Sequence, residues 1–146
     1  MMITSTNPMV YTDFPDPDII RVGGVYYMAT TTMHFTPGCD ILRSYDLVHW
    51  EFIAHALNIV ADTPEERLEC EGANAYGRGM WAPSLRYHRG TWYVLFAAND
   101  THASYLLTAH GESVSLTASI TTADCSLTTM IEPMSYMGSR HCASRS

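Results

Sequence analysis

Apolar and polar residues in the first two thirds of the chain follow the pattern of short strands. Residues 19–32 (IIRVGGVYYMATTT) and 91–98 (TWYVLFAA) are rich in β-branched and aromatic side chains and are bounded by glycine or polar turns. Two more strands are predicted within 39–53, on either side of the turn SYDLVHW. A convincing helix is missing from the first hundred residues, and the nearest candidate, 63–79, holds about two turns before its glycines stop it. The pattern therefore predicts an all-β fold.

The two strand regions are copies of one unit. Five positions match at an offset of 66 residues, and the pairs are Pro17 and Pro83, Ile19 and Leu85, Gly24 and Gly90, Tyr26 and Trp92, and Tyr27 and Tyr93. In each copy a proline leads to a strand, a glycine turn and a second strand that opens with two aromatic residues. Repeated units of four antiparallel strands are typical of β-propeller blades, although a chain of this length cannot close a propeller. A sandwich with two similar hairpins is the alternative.

Composition narrows the classes of partner. The chain has 146 residues, 47% of them hydrophobic, which is enough for the core of one domain. Its 8 basic and 15 acidic residues give a net charge of −7, which argues against nucleic acid or an anionic membrane as a partner. Neutral polar ligands remain compatible with this composition.

The sequence contains neither a targeting motif nor a metal-binding motif. No apolar stretch is long enough to span a bilayer, and the opening MMITSTNPMVY lacks the features of a signal peptide, so the chain as written is expected to be cytoplasmic. The four cysteines form no C-x-x-C pair and have no histidine at ligand spacing, which supports neither a zinc site nor a disulfide framework. Buried or incidental thiols are therefore expected at Cys39, Cys70, Cys125 and Cys142.

Two distinctive stretches lie in the two copies: 14–57, which begins FPDPDIIRV, and 77–98, GRGMWAPSLRYHRGTWYVLFAA. The first resembles the opening blade of glycoside hydrolase family 43, and the second resembles the start of that family's second blade. The family consists of five-bladed β-propellers and includes β-xylosidases and α-L-arabinofuranosidases. The resemblance covers 7–109 and implies an all-β chain with only the first blade and most of a second of a five-bladed β-propeller.

The resemblance implies one catalytic residue and two substrate-binding residues. Asp16, in the P-D-P motif, falls on the family's general base, which deprotonates a water while a carboxylic acid acts from the other side of the sugar. The prolines on either side of Asp16 stiffen its backbone. Phe35 and Trp81 fall where the family places aromatic walls against the sugar. The mechanism requires no cofactor, and nothing in the sequence identifies metal ligands.

Other prominent side chains are expected to be structural. Asp13 and Asp18 do not fall on the catalytic position and are expected in turns or facing solvent. Asp46 suits a turn, Trp50 suits packing between strands, and His34 is expected to be a structural histidine. Core and strand positions are expected for the aromatic residues Tyr26, Tyr27, Trp92 and Tyr93.

The resemblance ends before the rest of the catalytic site. The family uses an aspartate on its second blade, which orients the acid and raises its pKa, and a glutamic acid on its third blade. Residues 110–146 match neither, and Asp124 has the wrong neighbours. The sequence therefore predicts that 110–146 are a non-family tail, either out of frame or disordered, and that this chain by itself is inactive.

The genetic code allows the out-of-frame interpretation to be compared with the family pattern. When the codons from Thr117 onward are read from their third base, the permitted products fall in register with the family's second-blade stretch. Four products are forced by the code, and three of them agree with the family pattern. The hypothesis is a frameshift or a wrongly placed exon boundary, with the missing aspartate encoded across the codons of Thr121 and Thr122.

The function implied for the parent protein is inverting hydrolysis of O-glycosyl bonds. It would release terminal xylose or arabinose from plant-derived oligosaccharides, so its partner would be a xylo- or arabino-oligosaccharide. A non-catalytic carbohydrate-binding propeller is the alternative, because it would keep Phe35 and Trp81 without needing an acid. A second alternative is an open piece whose unpaired strand edges aggregate.

Overall fold

Two antiparallel sheets form the described part of the chain, which in this computed structural model is residues 5–60 and 62–111. The first sheet has four strands in sequential order: β1 (Asp18–Val22), β2 (Val25–Ala29), β3 (Gly38–Ser44) and β4 (Glu51–Leu57). The second has three, also in sequential order: β5 (Met80–His88), β6 (Thr91–Ala98) and β7 (Ala103–His110). The all-β prediction is confirmed, and β7 lies beyond the strands that the pattern predicts. The number of blades stays a prediction.

Two-residue turns set the register of the first hairpin in each sheet. Val22 pairs with Val25 in the first sheet, and His88 pairs with Thr91 in the second. The second turn needs positive φ at its glycine, and Gly90 has a φ of 80°. Both copies of the repeat therefore turn at the same place, as the offset of the glycines predicts.

Residues 63–79 form no regular helix. The Arg67 N–H donates to the Thr63 carbonyl at 3.0 Å, but the next N–H, of Leu68, donates to the Glu65 carbonyl at 3.3 Å, so the spacing of the hydrogen bonds is irregular. Leu68 has a φ of 59°, in the left-handed region that stops a right-handed helix. The absence of a convincing helix is therefore confirmed for the described residues, and the weak candidate forms only a hydrogen-bonded turn over 64–68.

Opposite faces of the repeated unit meet where the two sheets pack. Leu85 is 2% exposed, whereas Ile19, its counterpart in the repeat, is 43% exposed. The second strand of each copy has one buried aromatic residue, Tyr27 in β2 and Trp92 in β6. These two residues are not counterparts at the 66-residue offset. Their rings meet edge to face, with centroids 4.7 Å apart. The front face of one sheet therefore packs against the back face of the other. A two-fold axis would instead bring like faces together.

One aromatic pair lies near the start of β2 and another near the start of β6, and each pair has one buried and one half-buried ring. Tyr27 and Trp92 belong to the hydrophobic core, as expected. Tyr26 and Tyr93 are half-buried strand residues, and Arg21 lies over the Tyr26 ring at 5.5 Å. The strand prediction is thus confirmed for all four, and the core prediction for two.

Asp46 organises the turn between β3 and β4. Its Oδ1 accepts the backbone N–H groups of Val48 at 2.9 Å and His49 at 2.8 Å, and its Oδ2 contacts the His49 imidazole at 2.7 Å. The hydrogen bonds from His49, backbone and side chain, lower the pKa of Asp46 well below its usual value, with a smaller contribution from Val48. Trp50 is half-buried and donates its indole N–H to the Leu47 carbonyl of the same turn. The predicted turn role of Asp46 is confirmed.

Cys39 and Cys70 are both buried. Burial raises the pKa of the Cys39 thiol to about 12, so it stays protonated and unreactive at neutral pH. No group of three or more His, Cys, Asp or Glu side chains able to hold a metal ion occurs within the described residues. That part of the chain also has no helix long and apolar enough to cross a membrane. Cys125 and Cys142 lie outside the described residues, as does the predicted tail from residue 112 onward.

Asp18 joins the two sheets and is not the turn or solvent-facing group expected from the sequence. Its Oδ2 accepts the backbone N–H of Leu85 at 2.8 Å and the Arg86 guanidinium at 2.6 Å. The expectation was wrong because both partners lie in the other sheet, 67 and 68 residues along the chain. Asp13, in contrast, is exposed, as expected.

Removing the Asp18 carboxylate is expected to weaken the packing of the two sheets. Asp18→Ala leaves the Leu85 N–H without its acceptor, and an unsatisfied buried donor costs about 1–3 kcal/mol. The partner Arg86 is 63% exposed, so the lost ion pair adds little. Urea unfolding should show that loss for Asp18→Ala and less than about 0.5 kcal/mol for the control Asp13→Ala. Equal effects of the two substitutions would contradict the inter-sheet role of Asp18.

Candidate active site

Asp16 occupies an unusual backbone conformation directly before β1. Its φ is 48°, in the left-handed region, which aspartate tolerates better than most residues. Ala82, its counterpart in the repeat, has a φ of 45°, and each of the two residues precedes a proline. The same left-handed conformation therefore occurs at the matching position of both copies, before β1 in the first copy and near the start of β5 in the second.

A buried threonine ties Asp16 to the second sheet. The Thr31 hydroxyl donates to Asp16 Oδ2 at 3.0 Å and accepts the backbone N–H of Ala82 at 2.7 Å. The Thr31 N–H donates to the Pro15 carbonyl at 3.0 Å. Because Thr31 is only 3% exposed, its hydroxyl is a fixed partner for these partly buried bonds and sets the direction of the Asp16 side chain.

The Asp16 carboxylate is held by one oxygen and open at the other. Asp16 is exposed, and within the described part of the chain its Oδ1 accepts no hydrogen bond. A carboxylate with one anchored oxygen and one open oxygen can accept a proton from a bound water without losing its orientation. The arrangement is compatible with the predicted general base.

Main-chain pairing brings a loop of the first sheet against the start of the second. Met33 and Met80 exchange two backbone hydrogen bonds, each 3.1 Å long. The close approach requires Gly79, because a Cβ at that position would lie 2.2 Å from the Met33 carbonyl oxygen. The loop itself is folded back by Thr32, whose hydroxyl accepts the Cys39 N–H at 2.9 Å.

The two predicted sugar-binding residues lie on the two segments that this pairing joins. Phe35 follows Met33 by two residues and is 64% exposed. Trp81 follows Met80 directly and is half-buried, and its indole N–H is buried without a hydrogen-bond partner among the described residues. The structure thus brings both segments together near Asp16, since Ala82 is the next residue after Trp81. The role of both side chains in sugar binding stays a prediction.

His34 connects Phe35 to a residue that the sequence does not single out. Its Nδ1 accepts the Gly77 N–H at 3.0 Å. The His34 ring contacts the Phe35 ring, with centroids 4.3 Å apart, and the Tyr76 ring, with centroids 4.5 Å apart. These contacts agree with the structural role expected of His34. They also bring Tyr76, from the loop before β5, next to the candidate site.

Sequence reasoning also missed Thr31. It lies in a run of three threonines, and nothing in its neighbours distinguishes it from Thr30 or Thr32. Its acceptor role depends on Ala82, 51 residues away. A contact of that kind has no local signal in the sequence.

The family model described as glycosyl hydrolases family 43 matches residues 5–138. The chain belongs to glycoside hydrolase family 43. Among relatives, it is 43% identical over 90 residues to a "Beta-xylosidase" of Formosa agariphila, covering 62% of this chain and 15% of that protein. It is 44% identical over 92 residues to the "Non-reducing end alpha-L-arabinofuranosidase BoGH43B" of Bacteroides ovatus, covering 63% of this chain and 16% of that protein. The chain therefore spans about one sixth of the length of these family 43 relatives.

Solved structures of family 43 resemble the fold. A "Bifunctional GH43-CE" of Bacteroides eggerthii matches with a TM-score of 0.70 and 43% identity, over 75% of this chain and 14% of that one. The xylan β-1,4-xylosidase of Bacillus halodurans matches with a TM-score of 0.58 and 31% identity, over 76% of this chain and 21% of that one. The resemblance stated from the sequence motifs is thereby confirmed at the level of the family.

Filling the space at Gly79 is expected to separate the two segments of the site. Gly79→Ala places a methyl group against the Met33 carbonyl, whereas Gly77→Ala is a matched control with a similar positive φ and nothing within 4 Å of the added Cβ. Both variants carry the cost of a side chain at positive φ. Urea unfolding should show an additional loss of about 1–3 kcal/mol for Gly79→Ala alone. Equal losses in the two variants would mean that the Met33–Met80 pairing is not tightly packed.

Proposed function

We propose that this chain belongs to an inverting glycosidase that releases terminal xylose or arabinose from plant-derived oligosaccharides, with Asp16 as the general base. The observation that carries the proposal is the geometry of Asp16 in a family 43 chain: Oδ2 is held by Thr31, and Oδ1 is open. Relatives named as a β-xylosidase and an α-L-arabinofuranosidase support the choice of sugars.

The chemistry assigned to Asp16 is deprotonation of water. Its open oxygen takes a proton from a water molecule, whose oxygen then forms a bond to the anomeric carbon. The bond from that carbon to the leaving oxygen breaks, and a protonated carboxylic acid on the other face supplies the proton. Inverting enzymes keep the two carboxyl groups roughly 6.5–9.5 Å apart so that the water fits between them.

Phe35 and Trp81 are proposed as the walls that hold the sugar. Both can present a flat apolar face to the C–H side of a sugar ring. Their support is their position on the two paired segments next to Asp16, and the exposure of Phe35. The ligand is a neutral xylo- or arabino-oligosaccharide, and the chemistry needs no cofactor.

At the level of architecture, residues 7–109 are proposed to be the first blade and most of a second in a five-bladed propeller. The front-to-back stacking of the two sheets supports this more than a sandwich, because blades around one axis stack in that way. Residues 110–146 are proposed to be a tail outside the family pattern, translated out of frame, so this chain lacks the acid and the second-blade aspartate. The match to the family model runs to residue 138 and so overlaps this proposed tail. The reading frame of the tail is therefore the feature to test first.

Sequencing the transcript tests the tail. A frame change between the codons for SYLLTA and TTADCSL is expected, followed by codons for the missing aspartate. A continuous frame that still encodes TTADCSL would contradict the out-of-frame hypothesis and leave a short variant with its own tail.

Turnover of aryl β-xyloside and aryl α-arabinofuranoside tests the catalytic role. This chain should show negligible turnover. The longer protein, translated in the frame that encodes the missing aspartate, should be active. In that longer protein, Asp16→Asn should lower kcat by about 10²–10⁴-fold, because it removes the base, while the nearby control Asp13→Asn should leave kcat unchanged. Turnover by this chain that Asp16→Asn abolishes would show that no acid is missing. Sugar binding by the longer protein without turnover would favour the carbohydrate-binding alternative.

A further inference from the structure

The outer edge of β7 has no strand beside it in the described part of the chain. In the first sheet the corresponding position is occupied, because β4 pairs with β3. At the 66-residue offset, the counterpart of β4 (EFIAHAL) would be 117–123 (TASITTA), which lies outside the described residues and matches β4 at none of its seven positions. The second sheet therefore ends one strand earlier than the first.

Alternate residues of β7 direct their main-chain groups toward this edge. The Gly111 N–H donates to the Gly90 carbonyl at 3.0 Å, and residue pairs in an antiparallel ladder alternate between bonded and non-bonded. Following that alternation along the register with β6, the residues bonded to β6 are Ala109, Leu107, Tyr105 and Ala103. The residues whose N–H and C=O groups point away from β6 are Ser104, Leu106, Thr108 and His110. Within the described residues, these outward groups have no main-chain partner.

β7 lacks the features by which sheet edges avoid pairing with other chains, which are charges, prolines and bulges. Its sequence, ASYLLTAH, contains no Asp, Glu, Lys, Arg or Pro, and all eight residues pair with β6 without a register shift. The other outer strands of the described sheets differ. β1 carries Asp18 and Arg21, and β4 carries Glu51 beside a register shift in its ladder with β3. β5 contains Pro83 and a register shift of its own.

A second copy of β7 fits this edge with every outward group paired. A two-fold axis perpendicular to the sheet makes the two strands antiparallel and keeps the buried faces of both sheets on the same side. With the axis at Leu107, Ser104 lies opposite His110 of the other copy, and Leu106 lies opposite Thr108. All outward N–H and C=O groups of both strands then have partners. An axis one residue earlier would place His110 opposite a residue outside the strand, so the Leu107 register is the better one.

The side chains that meet in this register are compatible. On the face that packs against the first sheet, Leu107 meets Leu107 and Tyr105 meets Ala109 of the other copy, so apolar side chains lie opposite one another. On the other face, no acidic side chain lies opposite another. The net charge of −7 on each chain is therefore carried outside this edge.

We propose that β7 is a dimerisation edge, at which two copies of this chain join their three-stranded sheets into one six-stranded antiparallel sheet. The inference goes beyond the proposed function, because it involves neither Asp16 nor the sugar-binding residues. The same edge is used by both copies, so the pair is closed and leaves no β7 edge for a third copy. The expected product is a dimer rather than an open aggregate.

Light scattering and amide exchange on the full chain test the dimer. The mass should be that of two chains at high concentration and should fall to that of one chain on dilution. The outward amides of Leu106 and Thr108 should exchange slowly at high concentration and as fast as the exposed Gly24 turn on dilution. The Leu107 amide, which bonds to β6, should stay slow at both concentrations. Protection that depends on concentration distinguishes a second copy from a strand supplied by the chain itself.

Substitution at Thr108 tests which edge is used. Thr108→Pro removes an outward N–H without taking a hydrogen bond from β6, and edge strands tolerate proline at such a position. Each dimer loses two hydrogen bonds, so dimerisation should weaken about 10- to 100-fold. Thr108→Val is the matched control, because it keeps the N–H, and it should dimerise as the unchanged chain does. Urea unfolding of the dilute proline variant checks that it is folded.

Three results would overturn the proposal. The unchanged chain could be a monomer at every concentration, or its outward β7 amides could exchange slowly at every concentration, which would mean that the chain covers its own edge. Equal dimerisation of Thr108→Pro and Thr108→Val would also contradict it, because the contact would then lie elsewhere. The first two results come from the unchanged chain and hold whether or not the proline variant folds. None of the three bears on whether Asp16→Asn lowers kcat in the longer protein.

Discussion

The close contact of main chain with main chain at Met33 and Met80 is the constraint on which the candidate site depends. Two 3.1 Å hydrogen bonds join a loop of the first sheet to the first strand of the second, and only a glycine fits at position 79. Such bonds each add about 0.5–1.5 kcal/mol, but a buried group left unpaired costs about 1–3 kcal/mol. Breaking one of these bonds therefore costs more than forming it gains, and the neighbouring bonds of Thr31 and Asp18 join the same two sheets.

This constraint gives two nearby carboxylates different roles. Asp18 is turned toward the second sheet and holds the Leu85 N–H, whereas Asp16 is held by Thr31 at one oxygen and exposed at the other. The left-handed backbone at Asp16 is unfavourable by itself and persists because surrounding bonds determine it. Stability and the proposed chemistry thus come from one short segment, in which Asp18 contacts the neighbouring sheet and Asp16 has one open oxygen.

Local sequence signals account for the strands and for Asp16, but not for the contacts between sheets. Alternation and glycine turns predict the first hairpin and β6, and the motif around Asp16 identifies the family. The roles of Thr31 and Asp18 depend on partners 51 or more residues away, so no local pattern reveals them. Tyr76 lies in an irregular loop without periodicity, and the turn over 64–68 ends at Leu68 through a backbone angle that helix propensity does not predict.

Amide hydrogen exchange at the contact between the sheets tests the account most directly. The N–H groups of Met33, Met80, Ala82 and Leu85 all bond across that contact. If the sheets separate only as the chain unfolds, these four amides should exchange slowly and with one common free energy, close to that of global unfolding. Exchange of the Ala82 and Met80 amides as fast as that of the exposed Gly24 turn would contradict the account, because the Asp16 carboxylate would then lack a fixed support.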